Sequence, residues 1–183
     1  RRGFSSTTDG LGGPQGFVPT HHPQHDDCNA LLTDEALTTF LFTDVRHKLH
    51  ACCHGTHAII EALRKLMTTY DLTAQNLMGI TINVNPRWLK VCDIKVPRTG
   101  LEIKFSFVFL TAMVLHNIDT AAYESYGDSL VDDAGLAATA KKVTVIGDEA
   151  IADGAVVVSA QTEAGVCHTT HFDLMTPIDI DVL

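Results

Sequence analysis

The sequence predicts an α+β domain: a largely antiparallel sheet packed with helices, behind an extended N-terminal arm. Three observations predict it. Ile80, Ile82 and Val84 alternate with Thr81, Asn83 and Asn85, the pattern of a half-buried strand. Residues 55–70 and 102–116 carry helical apolar patterning. Three more strand-like runs (143–146, 155–160 and 166–172) follow, separated by Asp153-Gly154 and Ala164-Gly165. Strands, then helices, then strands again favour an α+β sandwich over a doubly wound fold.

In chain order, residues 1–30 are rich in Gly, Pro, Thr and His and poor in large apolar side chains. That is the composition of an arm, without enough apolar surface for its own core. Thr33 is placed to cap a short helix over 34–42, with Asp34 and Glu35 in its first turn. In 55–70, Ile59, Ala62, Leu63, Leu66, Met67 and Tyr70 form one face, and Glu61, Arg64 and Lys65 lie mostly opposite. Residues 72–77 read as a connection to the strand at 80–84. Asn85-Pro86 reads as a turn, and 89–94 as a second short strand. Residues 102–116 are apolar nearly all round and predict one central, covered helix. One or two small helices are expected in 123–140. The organisation expected is an arm and linker helix over 1–47, remnant of a junction with another domain, and an α+β domain over 48–183.

Composition limits the function. The net charge of −9 comes without any basic block, which excludes the clustered cations that nucleic-acid binding needs. The longest apolar stretch, 105–115, is too short to span a bilayer. Cys28, Cys52, Cys53, Cys92 and Cys167 are odd in number and irregular in spacing, so a reduced, cytoplasmic setting is expected. The chain opens on Arg1-Arg2-Gly3-Phe4 with no initiator Met and reads as a processed or truncated piece.

An acidic protein that binds an acidic small molecule must concentrate its few cations locally. Two segments do so: 48–57, Lys-Leu-His-Ala-Cys-Cys-His-Gly-Thr-His, and 97–106, Pro-Arg-Thr-Gly-Leu-Glu-Ile-Lys-Phe-Ser. His57 falls in the first turn of the amphipathic helix, where backbone N–H groups favour anions and an imidazole can exchange protons near neutral pH. It serves equally well as a packing residue at the helix start. Lys104 is the one charge after Glu102 in an apolar stretch. Its position near a helix N-terminus opposes the macrodipole and suits either a bound carboxylate or a side chain reaching solvent. Arg98 can clamp a carboxylate or simply occupy an exposed turn. Cys53 is either a ligand-facing thiol or a small core residue. The histidines and cysteines of 47–57 match no zinc spacing, so no metal is expected, and His21-His22-Pro23-Gln24-His25 reads as a solvated arm.

In this order, the two segments resemble the MmgE/PrpD family. Its members include 2-methylcitrate dehydratase, cis-aconitate decarboxylase and iminodisuccinate epimerase. The matching residues are Lys48, Cys53 and His57, then Pro97-Arg98-Thr99, Glu102 and Lys104-Phe105-Ser106. Arg2-Gly3-Phe4, Gly16-Phe17 and the later Lys-Lys-Val-Thr-Val at 141–145 are similar too. His50 and Ala51 stand where the family commonly has an aromatic and a Pro, and Phe109 stands where cis-aconitate decarboxylases tend to show Tyr. His116-Asn117 replaces a small residue and Gly.

The resemblance implies the small C-terminal domain of a two-domain enzyme whose cleft is completed by a large helical domain, present in cis or as a separate chain. It implies a lyase of the 2-methylcitrate dehydratase kind acting on a polycarboxylate, with His57 and Lys48 catalytic. Lys104, Cys53 and Arg98 would bind substrate, with no metal or organic cofactor. The alternatives are a decarboxylase or epimerase of the same family, or a stand-alone binding module without turnover. An uncovered apolar face would make the isolated domain self-associate, so a homo-oligomer is expected.

Overall fold

The computed structural model describes residues 9–14, 16–21 and 48–176. The chain divides into two compact units, Arg1–His47 and Lys48–Leu183. In the first, helix α1 (Phe17–His21) buries Val18, and the Phe17 and His21 rings stack 4.3 Å apart. The helix expected at 34–42 lies outside the described residues.

The second unit holds a mixed four-stranded sheet. Strands β1 (Leu77–Val84), β2 (Val143–Gly147), β3 (Ala155–Thr162) and β4 (Cys167–Asp173) lie in the order β2-β1-β3-β4. β1 pairs parallel with β2 and antiparallel with β3, and β3 pairs antiparallel with β4. The register sets Ile80 opposite Ala160, Ile82 opposite Val158 and Val84 opposite Val156, all six buried. The period of two that predicted β1 is thus the buried face of the sheet.

Helix α2 (His57–Tyr70) packs on β3 and β4 and buries Ile59, Ile60, Ala62, Leu63 and Leu66. It ends at Asp71, whose left-handed φ of 53° turns the chain toward β1. Tyr70, on the last turn, stacks on His168 of β4 at 4.0 Å.

Two expectations are corrected. Residues 89–92 of the 89–94 segment are helical, the end of α3 (Pro86–Cys92). Asn85 Oδ1 accepts from the Arg87 amide at 3.1 Å, and Pro86 sits at the position where its missing N–H costs nothing. Asn85-Pro86 is therefore a helix start and not a bare turn. The Trp88 indole N–H donates to the Asp153 carbonyl at 2.7 Å and ties α3 to the loop before β3.

The long apolar helix expected at 102–116 is broken in two, α4 (Gly100–Ile103) and α5 (Phe107–Leu115). The break is at Ser106, whose backbone is extended and bridges Asp93. Its hydroxyl donates to the Ile94 carbonyl at 2.6 Å and accepts from the Phe109 amide at 3.2 Å. Capping chemistry outweighs helical propensity here. Ser106→Ala should therefore lower the unfolding free energy by about 1–2 kcal/mol. Urea denaturation checks this, and an unchanged midpoint would show that the cap contributes nothing.

All nine residues of α5 are buried, and the helix packs against α2, β2 and α6 (Ala134–Ala140). Between α5 and α6 lie two 3-10 turns, Tyr123–Ser125 and Asp128–Asp132. Asp133 caps α6 by accepting from the Leu136 amide at 2.8 Å. Among the described residues, no helix is long and apolar enough to cross a membrane.

Candidate active site

The fold joins the two cation-bearing segments through their backbones. The Cys53 amide donates to the Lys104 carbonyl at 3.0 Å, and the Ala51 amide donates to the Thr120 carbonyl at 2.9 Å. The loop that precedes α2 is therefore pinned between the α4–α5 break and the segment after α5. Two glycines permit the close approaches. A Cβ on Gly55 would collide with the Trp88 ring, and one on Gly100 with the Tyr126 carbonyl.

His57 opens α2 and is 3% exposed. Its Nε2 is buried and has no hydrogen-bond partner among the described residues. Burial lowers the pKa to about 4, and the nearby His50, His54 and Lys48 reinforce the shift. His57 is thus an uncharged base at neutral pH.

Lys48 is exposed, and its charge is felt at both His57 and Cys52. Lys104 is half-buried, and its Nζ sits 3.9 Å from the Tyr123 ring centre and 4.8 Å from that of Tyr126. Ring quadrupoles attract an ammonium at that distance. No carboxylate among the described residues pairs with the lysine, so its charge stays available to an anion. Tyr126 is itself fixed, its hydroxyl donating to the Thr120 carbonyl at 2.9 Å.

Of the remaining site residues, Arg98 turns to solvent and Cys53 stays in the loop. The Arg98 side chain is 83% exposed and lies 3.6 Å from the Glu102 carboxylate, so it occupies an exposed turn. Cys53 is half-buried beside the fully buried Cys92, whose thiol is pushed well up by burial and then by Cys53. Burial also raises the Cys52 thiol, against the opposing contact with the Thr56 hydroxyl at 3.1 Å. Cys52 and Cys92 stay protonated at neutral pH and are poor nucleophiles. Among the described residues, no three His, Cys, Asp or Glu side chains are grouped to hold a metal ion.

The sequence reading missed Tyr123, Tyr126, Thr120 and Glu61. Nothing local to 120–126 marks those residues as neighbours of 48–57, because the contact spans 70 positions. A separate groove of about 690 Å³, lined in part by Arg64, Asp71, Leu72, Val114 and Asn117, lies at the far end of α2. It begins at Arg64, about 10 Å along α2 from His57, and none of its lining residues belongs to this cluster.

Fold and site together define a small α+β domain in which a buried, neutral histidine opens α2 and the loop before it is hydrogen-bonded to the Lys104 backbone. The model of the MmgE/PrpD C-terminal domain matches residues 50–172, and the chain belongs to the MmgE/PrpD family. No curated protein matches the chain.

Proposed function

We propose that this domain supplies one wall of the active site of a lyase acting on a polycarboxylic acid, in the manner of 2-methylcitrate dehydratase. The observation that carries the reading is the buried Nε2 of His57, which has no partner among the described residues, at the start of α2 directly after the loop bonded to the Lys104 turn.

In this reaction class a base removes a proton from a carbon next to a carboxylate. The electron pair left behind forms the carbon–carbon double bond, and the neighbouring hydroxyl departs as water after taking a proton from an acid. His57 Nε2 is the base. Lys104 and Lys48 hold carboxylates and stabilise the negative charge that develops on the one next to the reacting carbon. The acid belongs to the large helical domain, in cis or on a separate chain. An imidazole with a pKa of about 4 is a weak base when the cleft is empty. A polycarboxylate beside it adds negative charge and raises its proton affinity as the substrate arrives. Val96 and Leu101, 77% and 68% exposed, support a surface that the helical domain covers.

The test is turnover of 2-methylcitrate, cis-aconitate and iminodisuccinate by this chain together with its helical domain. Loss of water from 2-methylcitrate is expected, and His57→Gln should reduce kcat by about 100-fold or more. Faster turnover of either other acid would reassign the reaction to decarboxylation or epimerisation. No turnover of any, with carboxylate binding retained, would make this a binding module. An unchanged rate in His57→Gln would remove His57 from the mechanism.

A further inference from the structure

His50 is buried, with 3% exposure, and both of its ring nitrogens are engaged. Nε2 lies 2.8 Å from Glu61 Oε1, and Nδ1 lies 2.9 Å from Thr120 Oγ1. The His50 bond holds the Glu61 carboxyl below its usual range, so it is ionised and accepts from Nε2–H. The Thr120 hydroxyl can donate to Nδ1 or accept from it, so both bonds survive in either protonation state of the ring. Glu61 is in turn 3.7 Å from Arg64, one turn along α2. Thr120 is fully buried and receives bonds from the Ala51 amide and the Tyr126 hydroxyl on its carbonyl. Every contact that fixes His50 is itself fixed. The clamped ring meets His57 edge-on, with centroids 5.0 Å apart and planes at 77°.

We propose that His50 is a positioning residue for His57: held at both nitrogens by Glu61 and Thr120, it sets the orientation and electrostatic surroundings of the His57 ring. The assignment rests on the reading of His57 as the base. Any buried imidazole needs partners on both nitrogens; here they come from α2 and from the segment after α5, so the ring facing His57 is held from two separate elements. Hydrogen bonding on both sides removes the ring flip that would otherwise vary the edge facing His57. The other charged or titratable groups around His57 are His54 on the 3-10 turn, Lys48 and Cys52 on the loop, and Glu61 on α2.

The experiment is a nitrogen-15 NMR titration of His57 in the intact chain and in two variants. His50→Phe keeps a ring but loses both anchors and the repulsion toward a protonated His57. Its His57 midpoint should rise by about one pH unit. Thr120→Val is nearly isosteric and frees only His50 Nδ1. It should shift or broaden the His57 ring-nitrogen resonances, because the His50 ring that faces them is no longer held at Nδ1. Unchanged His57 midpoint and shifts in both variants, with native amide spectra, would overturn the assignment. If His50→Phe does not fold, Thr120→Val alone decides. The titration needs no substrate, so absence of turnover would sink the lyase reading without touching this result. In the active assembly, the acid limb of kcat/KM for His50→Phe should move by the same shift as the NMR midpoint.

Discussion

Phe107→Ala is expected to lower the unfolding free energy by about 3–5 kcal/mol, against the 5–15 kcal/mol typical of a whole domain. Phe107 is the largest of the fully buried side chains, at 0% exposure, and it begins a helix whose nine residues are all buried. The transferred ring accounts for part of the loss. The rest comes from the cavity, because α2, α6 and β2 surround α5 and cannot all move into the gap. Phe107 also directly follows the capping serine, so the substitution loosens the break that fixes Lys104. Urea denaturation at neutral pH measures the effect, and a loss below about 1 kcal/mol would mean that this end of α5 is less tightly packed than the structure shows. A surface change such as Lys65→Ala, on the solvent face of α2, should stay within about 0.5 kcal/mol and serves as the control.

Periodicity made most of this core legible in the sequence. The alternation at 80–84 and the apolar face from Ile59 to Leu66 both describe surfaces that the structure buries. The readings went astray where one polar side chain overrides the pattern. Asn85 converts a turn-like Asn-Pro into a helix start, and Ser106 splits an apolar run that propensity alone would keep whole. The candidate site was legible only in part. His57 and Lys104 stood out because a charge or an imidazole at a helix entrance needs a reason. What fixes them comes from elsewhere in the fold: Tyr123 and Tyr126 under Lys104, and Thr120 and Glu61 on His50. Thr120 lies 70 positions from His50, and only the tertiary fold brings it there, while Glu61 sits 11 positions away on α2 but reads in sequence as part of its polar face. Arg98 shows the converse, since a residue that fits the pattern lands in an exposed turn beside Glu102.

Acid should destabilise this domain through the same histidine that the proposed chemistry uses. His57 has a pKa of about 4 in the fold against 6.5 in an unfolded chain. Between those values the unfolded chain holds a proton that the folded one rejects, so stability rises with pH across the window and falls on acidification. The loss begins as pH drops through 6.5 and is complete below about 4, where it reaches about 3 kcal/mol. Glu61 adds to it. Its folded pKa is depressed by His50, so its contribution is present above the unfolded value of 4.5 and disappears as pH falls through the folded one. Both groups act in the same direction but over different ranges, which allows them to be told apart. His57→Gln should flatten the profile between pH 6.5 and 4.5 and leave the steeper loss below that. Glu61→Gln should do the reverse. Urea midpoints from pH 7 down past the point where Glu61 protonates in the fold measure both, and parallel curves for wild type and His57→Gln would show that the ring protonates in the fold as easily as in water. The burial that makes His57 costly to protonate also leaves its Nε2 without a hydrogen-bond partner among the described residues. A stabilising partner for that nitrogen would therefore be expected to slow the proton transfer proposed for it.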